Sequence, residues 1–129
     1  MKLCLDTNAY SALGRGDEAV RELVEEADEV LLPATVFGEL TFGFLKGTRF
    51  AQNEKALARF LDEDGVSLLP VTREIAERYG YVKAELKAKG SPVPENDIWI
   101  AAAALETGAR LVSYDTDFDR IGGLVRLAP

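Results

Sequence analysis

Asp6, Glu39, Asp97 and Asp115 stand at points in this 129-residue chain where a carboxylate is hard to explain as ordinary surface. Asp6 directly follows the apolar run Lys2 to Leu5. Asp97 opens a stretch, Ile98 to Leu105, that shows no polar face for almost two turns, and a helix apolar all round is a core helix. Asp115 closes the β-rich run Arg110 to Tyr114, with Asp117 and Asp119 just behind it. Glu39 sits mid-helix among apolar neighbours. A carboxylate taken near a core is costly unless it is paired or holds a cation. The chain has no histidine and one cysteine, Cys4, which removes the commonest general base and all but excludes a zinc site of the usual kind. Any metal must be held by oxygen, and that points to Mg²⁺ or Mn²⁺.

Each acid also has an ordinary reading. Asp6 would cap the helix after it. Asp97 would be a first-turn acid favoured by the helix dipole. Asp115 and Asp117 would be turn residues, and Glu39 would simply face solvent. What sets the four apart is their joint placement, which depends on the elements that carry them.

Strands are expected at Lys2 to Leu5, Val30 to Leu32, Val66 to Leu69, Arg110 to Tyr114 and, at an edge, Leu124 to Leu127. Helices are expected around Ala9 to Leu13, over Asp17 to Ala27, Ala34 to Lys46 and Phe50 to Leu61, from a Thr72 cap to about Lys89, and from an Asn96 cap to Gly108. In the helix of Glu39, the residues Val36, Phe37, Leu40, Phe44 and Leu45 are expected inward, with Gly38 and Gly43 permitting close approach. Strands alternating with one or two helices give an α/β fold: one domain, residues 1–129, with a mostly parallel central sheet of about five strands covered by helices on both faces. Ligands in such sheets sit beyond the carboxyl ends of the strands. Asp6 and Asp115 belong at that edge, and Glu39 and Asp97 are placed to converge on it.

Hydrophobic residues make up 47% and charged residues 29%, the composition of a soluble globular protein. No apolar run approaches the roughly 18 residues of a membrane span. The opening residues lack a signal region, so a cytoplasmic protein is expected, with Cys4 packed as a small hydrophobe. A net charge of −7 argues against nucleic acid. That objection weakens if several acids share one metal site, because bound cations reverse the local field.

The segments LDTN at 5–8, GEL at 38–40, NDIWIAAAAL at 96–105 and LVSYDTDF at 111–118 resemble those of the PIN-domain ribonucleases, especially the VapC-type toxins of toxin–antitoxin pairs. The resemblance spans nearly the whole chain. It implies a Mg²⁺- or Mn²⁺-dependent endoribonuclease that acts on RNA, is neutralised by a cognate VapB-type antitoxin and forms a homodimer. It maps the family's acids onto Asp6, Glu39, Asp97 and Asp115 as catalytic residues and metal ligands. Ser113 and Asn8 take the places of smaller groups that orient them. Asp117, a further metal ligand by position, stands where many relatives carry another residue. The chemistry is coherent in itself: hydrolysing a phosphodiester needs an activated water, charge neutralisation and a stabilised leaving oxygen, and divalent ions held by carboxylates supply all three.

Other readings have specific tests. A housekeeping PIN nuclease would lack a small reading frame just upstream. A non-cleaving PIN-like binding module would not need all four acids. A receiver domain requires an acid after the third strand, where Leu69-Pro70 stands, and a haloacid-dehalogenase-like phosphatase requires a second acid where Asn8 stands. For RNA itself the expected surface is residues 46–60, where Lys46, Arg49, Lys55 and Arg59 face only Glu54; an ordinary solvated helix face is the alternative. For protein partners it is an apolar groove near Phe37 to Leu45, with Phe42 exposed.

Overall fold

The computed structural model describes residues 1–129 and is organised around β1, Lys2–Leu5. Leu3, Cys4 and Leu5 are completely buried, as expected of a parallel strand covered on both faces. Four more strands complete the sheet: β2 (Glu29–Pro33), β3 (Val66–Leu69), β4 (Arg110–Val112) and β5 (Arg126–Leu127). Their order is β3-β2-β1-β4-β5, and every pairing is parallel. Burial pushes the Cys4 thiol far above its usual range, with the Asp6 charge adding to the effect. It packs as a small hydrophobe.

The helices are α1 (Thr7–Gly14), α2 (Glu18–Glu26), α3 (Ala34–Lys46), α4 (Phe50–Leu61), α5 (Arg73–Lys89) and α6 (Glu95–Thr107). Connections from β1 through β3 step one way across the sheet, and the next connection returns past β1 to β4. Right-handed crossovers then put α1 to α4 on one face and α5 with α6 on the other. The reversal falls between β1 and β4, the place where open α/β sheets form a crevice. Helix α6 runs antiparallel to β1: its Asn96 meets Glu39, while its Thr107 carbonyl accepts Lys2 Nζ at the strand's start. Ala101 to Ala104 are no more than 3% exposed, because small side chains let this helix lie close to its neighbours.

Several boundaries differ from the sequence expectation. α1 begins at Thr7, with Asp6 as its N-cap, because an Asp oxygen there satisfies an otherwise free helix N–H. α6 begins at Glu95, with Pro94 rather than Asn96 in the cap position and no side-chain cap. β4 ends at Val112, since the Ser113 hydroxyl turns back onto the Asp115 N–H and redirects the chain. β5 is only Arg126–Leu127. In α3, Phe37 and Leu45 are exposed rather than inward, and Cβ atoms at Gly38 and Gly43 would meet open space. Val36 and Leu40 carry the buried face.

Candidate metal centre

Asp6 is 5% exposed and committed at both oxygens. Oδ1 accepts the Ala9 N–H at 2.8 Å, the cap bond of α1, and Oδ2 accepts the Ser113 hydroxyl at 2.5 Å. Its ordinary role as a cap and its place at the sheet edge are therefore both real. Burial raises its pKa, the Ser113 and Ala9 hydrogen bonds oppose that, and the charges of Asp115 and Glu39 add to it. Ser113, fully buried, also accepts the Asp115 N–H at 3.0 Å. One hydroxyl thus joins the ends of β1 and β4. Asp115 in turn caps a short 3-10 helix, Thr116–Arg120, its Oδ1 accepting the Asp117 N–H at 2.8 Å.

Glu39 is held from two directions. Thr7 Oγ1 donates to its Oε1 at 2.7 Å, and Asn96 Nδ2 donates to its Oε2 at 3.3 Å. Thr7 follows Asp6 in sequence and Asn96 precedes Asp97, so these two bonds bring α3 to both other acids. Asp97 is half-buried and its carboxylate makes no hydrogen bond. Its pKa is raised to about 6, first by burial and then by the charges of Asp115, Glu39, Asp6 and Asp117. The other three predicted acids and Asp117 therefore lie near enough for their charges to act on Asp97.

None of the four is in a salt bridge. Asp117 is different: its Oδ1 lies 3.6 Å from Arg120 Nη2. Asp119 is wholly engaged by Arg126, through bonds of 2.9 and 3.0 Å. As the side chains lie, no three carboxylates surround a single point closely enough to grip an ion together. Like charges without a counter-ion keep apart. Mg²⁺ is ordinarily held by one or two carboxylates and keeps several waters, so it does not need a closed protein cage. An all-oxygen donor set, four uncompensated acids and one carboxylate without a partner fit such an ion.

Two residues that position these acids were not read from the sequence in that role. In the sequence Thr7 appears only as part of LDTN, and Asn96 reads as a cap. Asn8, expected to orient a carboxylate, is exposed and makes no side-chain hydrogen bond.

Comparison with known proteins adds a second line of observation. The PIN domain family model matches residues 3–124. Ribonuclease VapC2 of Haemophilus influenzae is 31% identical over 124 residues, covering 94% of this chain and 92% of that protein. The structure of VapBC2 from Rickettsia felis, bound to a DNA fragment from their promoter, matches with a TM-score of 0.86 at 27% identity over 98% of both chains. DNA-bound VapBC from Salmonella typhimurium matches with a TM-score of 0.87 at 26% identity, over 98% of this chain and 97% of that one.

Proposed function

This chain belongs to the PIN-domain family, and from that premise we propose that it is a Mg²⁺- or Mn²⁺-dependent endoribonuclease, the toxin of a toxin–antitoxin pair. The observation that carries the reading is the junction of Asp6, Ser113 and Asp115 at the sheet's reversal, with Glu39 tied to it through Thr7 and Asn96. Four acids without a basic partner are an expense to folding that a structural role does not explain. Binding a cation does.

Asp6, Glu39, Asp97 and Asp115 would hold the ion, directly or through water, and Asp117 would join them by releasing Arg120. When bound, a divalent ion lowers the pKa of water and stabilises charge developing on the phosphate. The chain's own contribution is orientation. Ser113 fixes Asp6 and the turn carrying Asp115, while Thr7 and Asn96 fix Glu39. Asp97 gives up its proton on moving to neutral pH and so completes the negative site.

The relatives solved as VapBC complexes support a cognate antitoxin for this chain, and a homodimer is proposed beside it. An apolar groove of about 250 Å³ between α3 and α4, lined by Phe37, Phe44, Phe50, Leu57 and Leu61, supports the same reading. Phe42, on another face of α3, is 62% exposed under Lys46 Nζ. The test is cleavage of total RNA by the purified protein with Mg²⁺, Mn²⁺ or EDTA. Fragments should form only with the metals, and Glu39→Gln should lose them. RNA left intact by the parent with both metals, or cut equally by Glu39→Gln, would sink the assignment.

A further inference from the structure

A second feature lies beside the acids and plays no part in the chemistry above. Where α5 turns into α6 there is a cavity of about 350 Å³, within the range of small-molecule sites. Leu86, Val93 and Ile98 give it an apolar floor, and Lys83 and Lys87 stand at its mouth. Two connections join it to the acids. Glu95, on its wall, is two residues from Asp97. Arg120 donates from Nη1 to the Pro92 carbonyl of the same wall at 2.8 Å, while its Nη2 lies 3.6 Å from Asp117. Cavity and acids therefore share the Arg120 side chain.

We propose that this cavity seats one unstacked base of the RNA strand whose neighbouring phosphate lies at the acids, an inference that rests on the ribonuclease reading above. An apolar floor accepts the face of a base, and single-stranded RNA is recognised through bases splayed out in this way. The mouth supplies what the adjoining phosphates need. Lys83 is tied to Glu95 at 3.0 Å, and Lys89 donates to the Arg120 carbonyl at 2.9 Å. Lys87 has no ion pair and is free for a phosphate. Lys89 also lies 4.0 Å from Glu85, so Lys87 is the cation at this mouth that a phosphate would find without a carboxylate partner. An apolar peptide would bring nothing to match it. Residues 46–60 carry cations as well, but they lie along α3 and α4 around the other groove, away from Asp117 and Arg120.

The experiment measures binding of a short single-stranded oligoribonucleotide, with Ca²⁺ in place of Mg²⁺, by fluorescence anisotropy. The base is removed at each position in turn. The parent should lose affinity about 5-fold at one position, the order expected when one base face no longer covers an apolar floor. Ser91→Trp, which fills the cavity from its exposed loop, should bind the intact strand more weakly by a similar factor and ignore removal of that base. Lys87→Glu should weaken every strand and keep the preference. Equal sensitivity of the parent and Ser91→Trp to base removal, or no sensitive position in the parent, overturns the proposal. If the parent still cuts total RNA with Mn²⁺ in that case, the cavity alone is misassigned; if it neither cuts nor binds RNA, the ribonuclease reading falls and this inference falls with it.

Discussion

The Ser113 hydroxyl donates to Asp6 Oδ2 at 2.5 Å while accepting the Asp115 N–H at 3.0 Å, so the carboxyl ends of β1 and β4 are joined through one buried side chain. Removing it leaves the Asp115 amide and one Asp6 oxygen without that partner. Groups that orient metal ligands typically contribute 10- to 100-fold in activity or metal affinity. Ser113→Ala should therefore cut RNA roughly 10- to 100-fold more slowly and need more Mn²⁺ for half-maximal rate. A metal titration of cleavage checks both, and an unchanged titration curve would remove Ser113 from the site.

Glu39 offers a parallel case. Thr7→Val keeps the shape and loses the bond to Oε1, and Asn96→Ala loses the bond to Oε2. Each should slow cleavage by a factor on the order of 10. Because both act on one carboxylate, the double variant should fall short of the product of the two. Asn8→Ala should be close to silent. The comparison is made from initial rates on one oligoribonucleotide, and full additivity would show that Thr7 and Asn96 do not act through Glu39.

Thermal unfolding tests the cost of crowding the acids. Asp97 has no hydrogen bond and feels four neighbouring carboxylates. Asp97→Asn should raise Tm without metal and abolish the gain in Tm that Mn²⁺ gives the parent, which follows from mass action on the folded state. A parent-like response to Mn²⁺ in this variant would mean that the ion binds elsewhere.

The same residue sets a pH dependence. Its folded pKa, about 6, lies above the ordinary value of 3.8, so between those values the folded state holds the proton more tightly than the unfolded chain. Its contribution to stability is present in acid and is lost as pH rises through about 6. Metal affinity runs the opposite way, since the ion competes with that proton. Scanning Tm from pH 4 to 8 with EDTA and with Mn²⁺ should give curves that separate above about pH 6. Curves that stay parallel would contradict it.

Much of this arrangement was legible because apolar runs carry their own geometry. Lys2 to Leu5 could only be a buried strand, and the Ile98 to Leu105 run could only be a core helix, so Asp6 and Asp97 were fixed to element ends. Glu39 was placed by period alone. What stayed hidden were contacts between residues far apart in sequence. Neither the Thr7 hydroxyl nor the Asn96 amide announces a partner, since both types also cap helices and sit in turns. Phe37 and Leu45 differ from expectation for a related reason: an apolar side chain at helical spacing reads as core even when it lines a groove, as Phe37 does, or lies exposed, as Leu45 does.

Asp119 gives the last prediction. Only proximity to Asp115 in sequence recommends it as a ligand, and both its oxygens are taken by Arg126, whose Nη1 also donates to the Ser113 carbonyl at 3.0 Å. Arg126 thereby links the 3-10 helix to the residue that orients Asp6. Asp119→Asn keeps part of the pairing and the Ser113 bond, so cleavage should stay within roughly 3-fold of the parent, with a small fall in Tm. Arg126→Ala releases the Ser113 carbonyl as well, and should lower Tm further and raise the Mn²⁺ needed for half-maximal rate. Arg126→Lys keeps the charge but loses the planar fork, and should lie between them. The measurement is a Mn²⁺ titration of cleavage alongside Tm for all three. Loss of cleavage in Asp119→Asn at saturating Mn²⁺ would move Asp119 into the metal site and reverse the assignment.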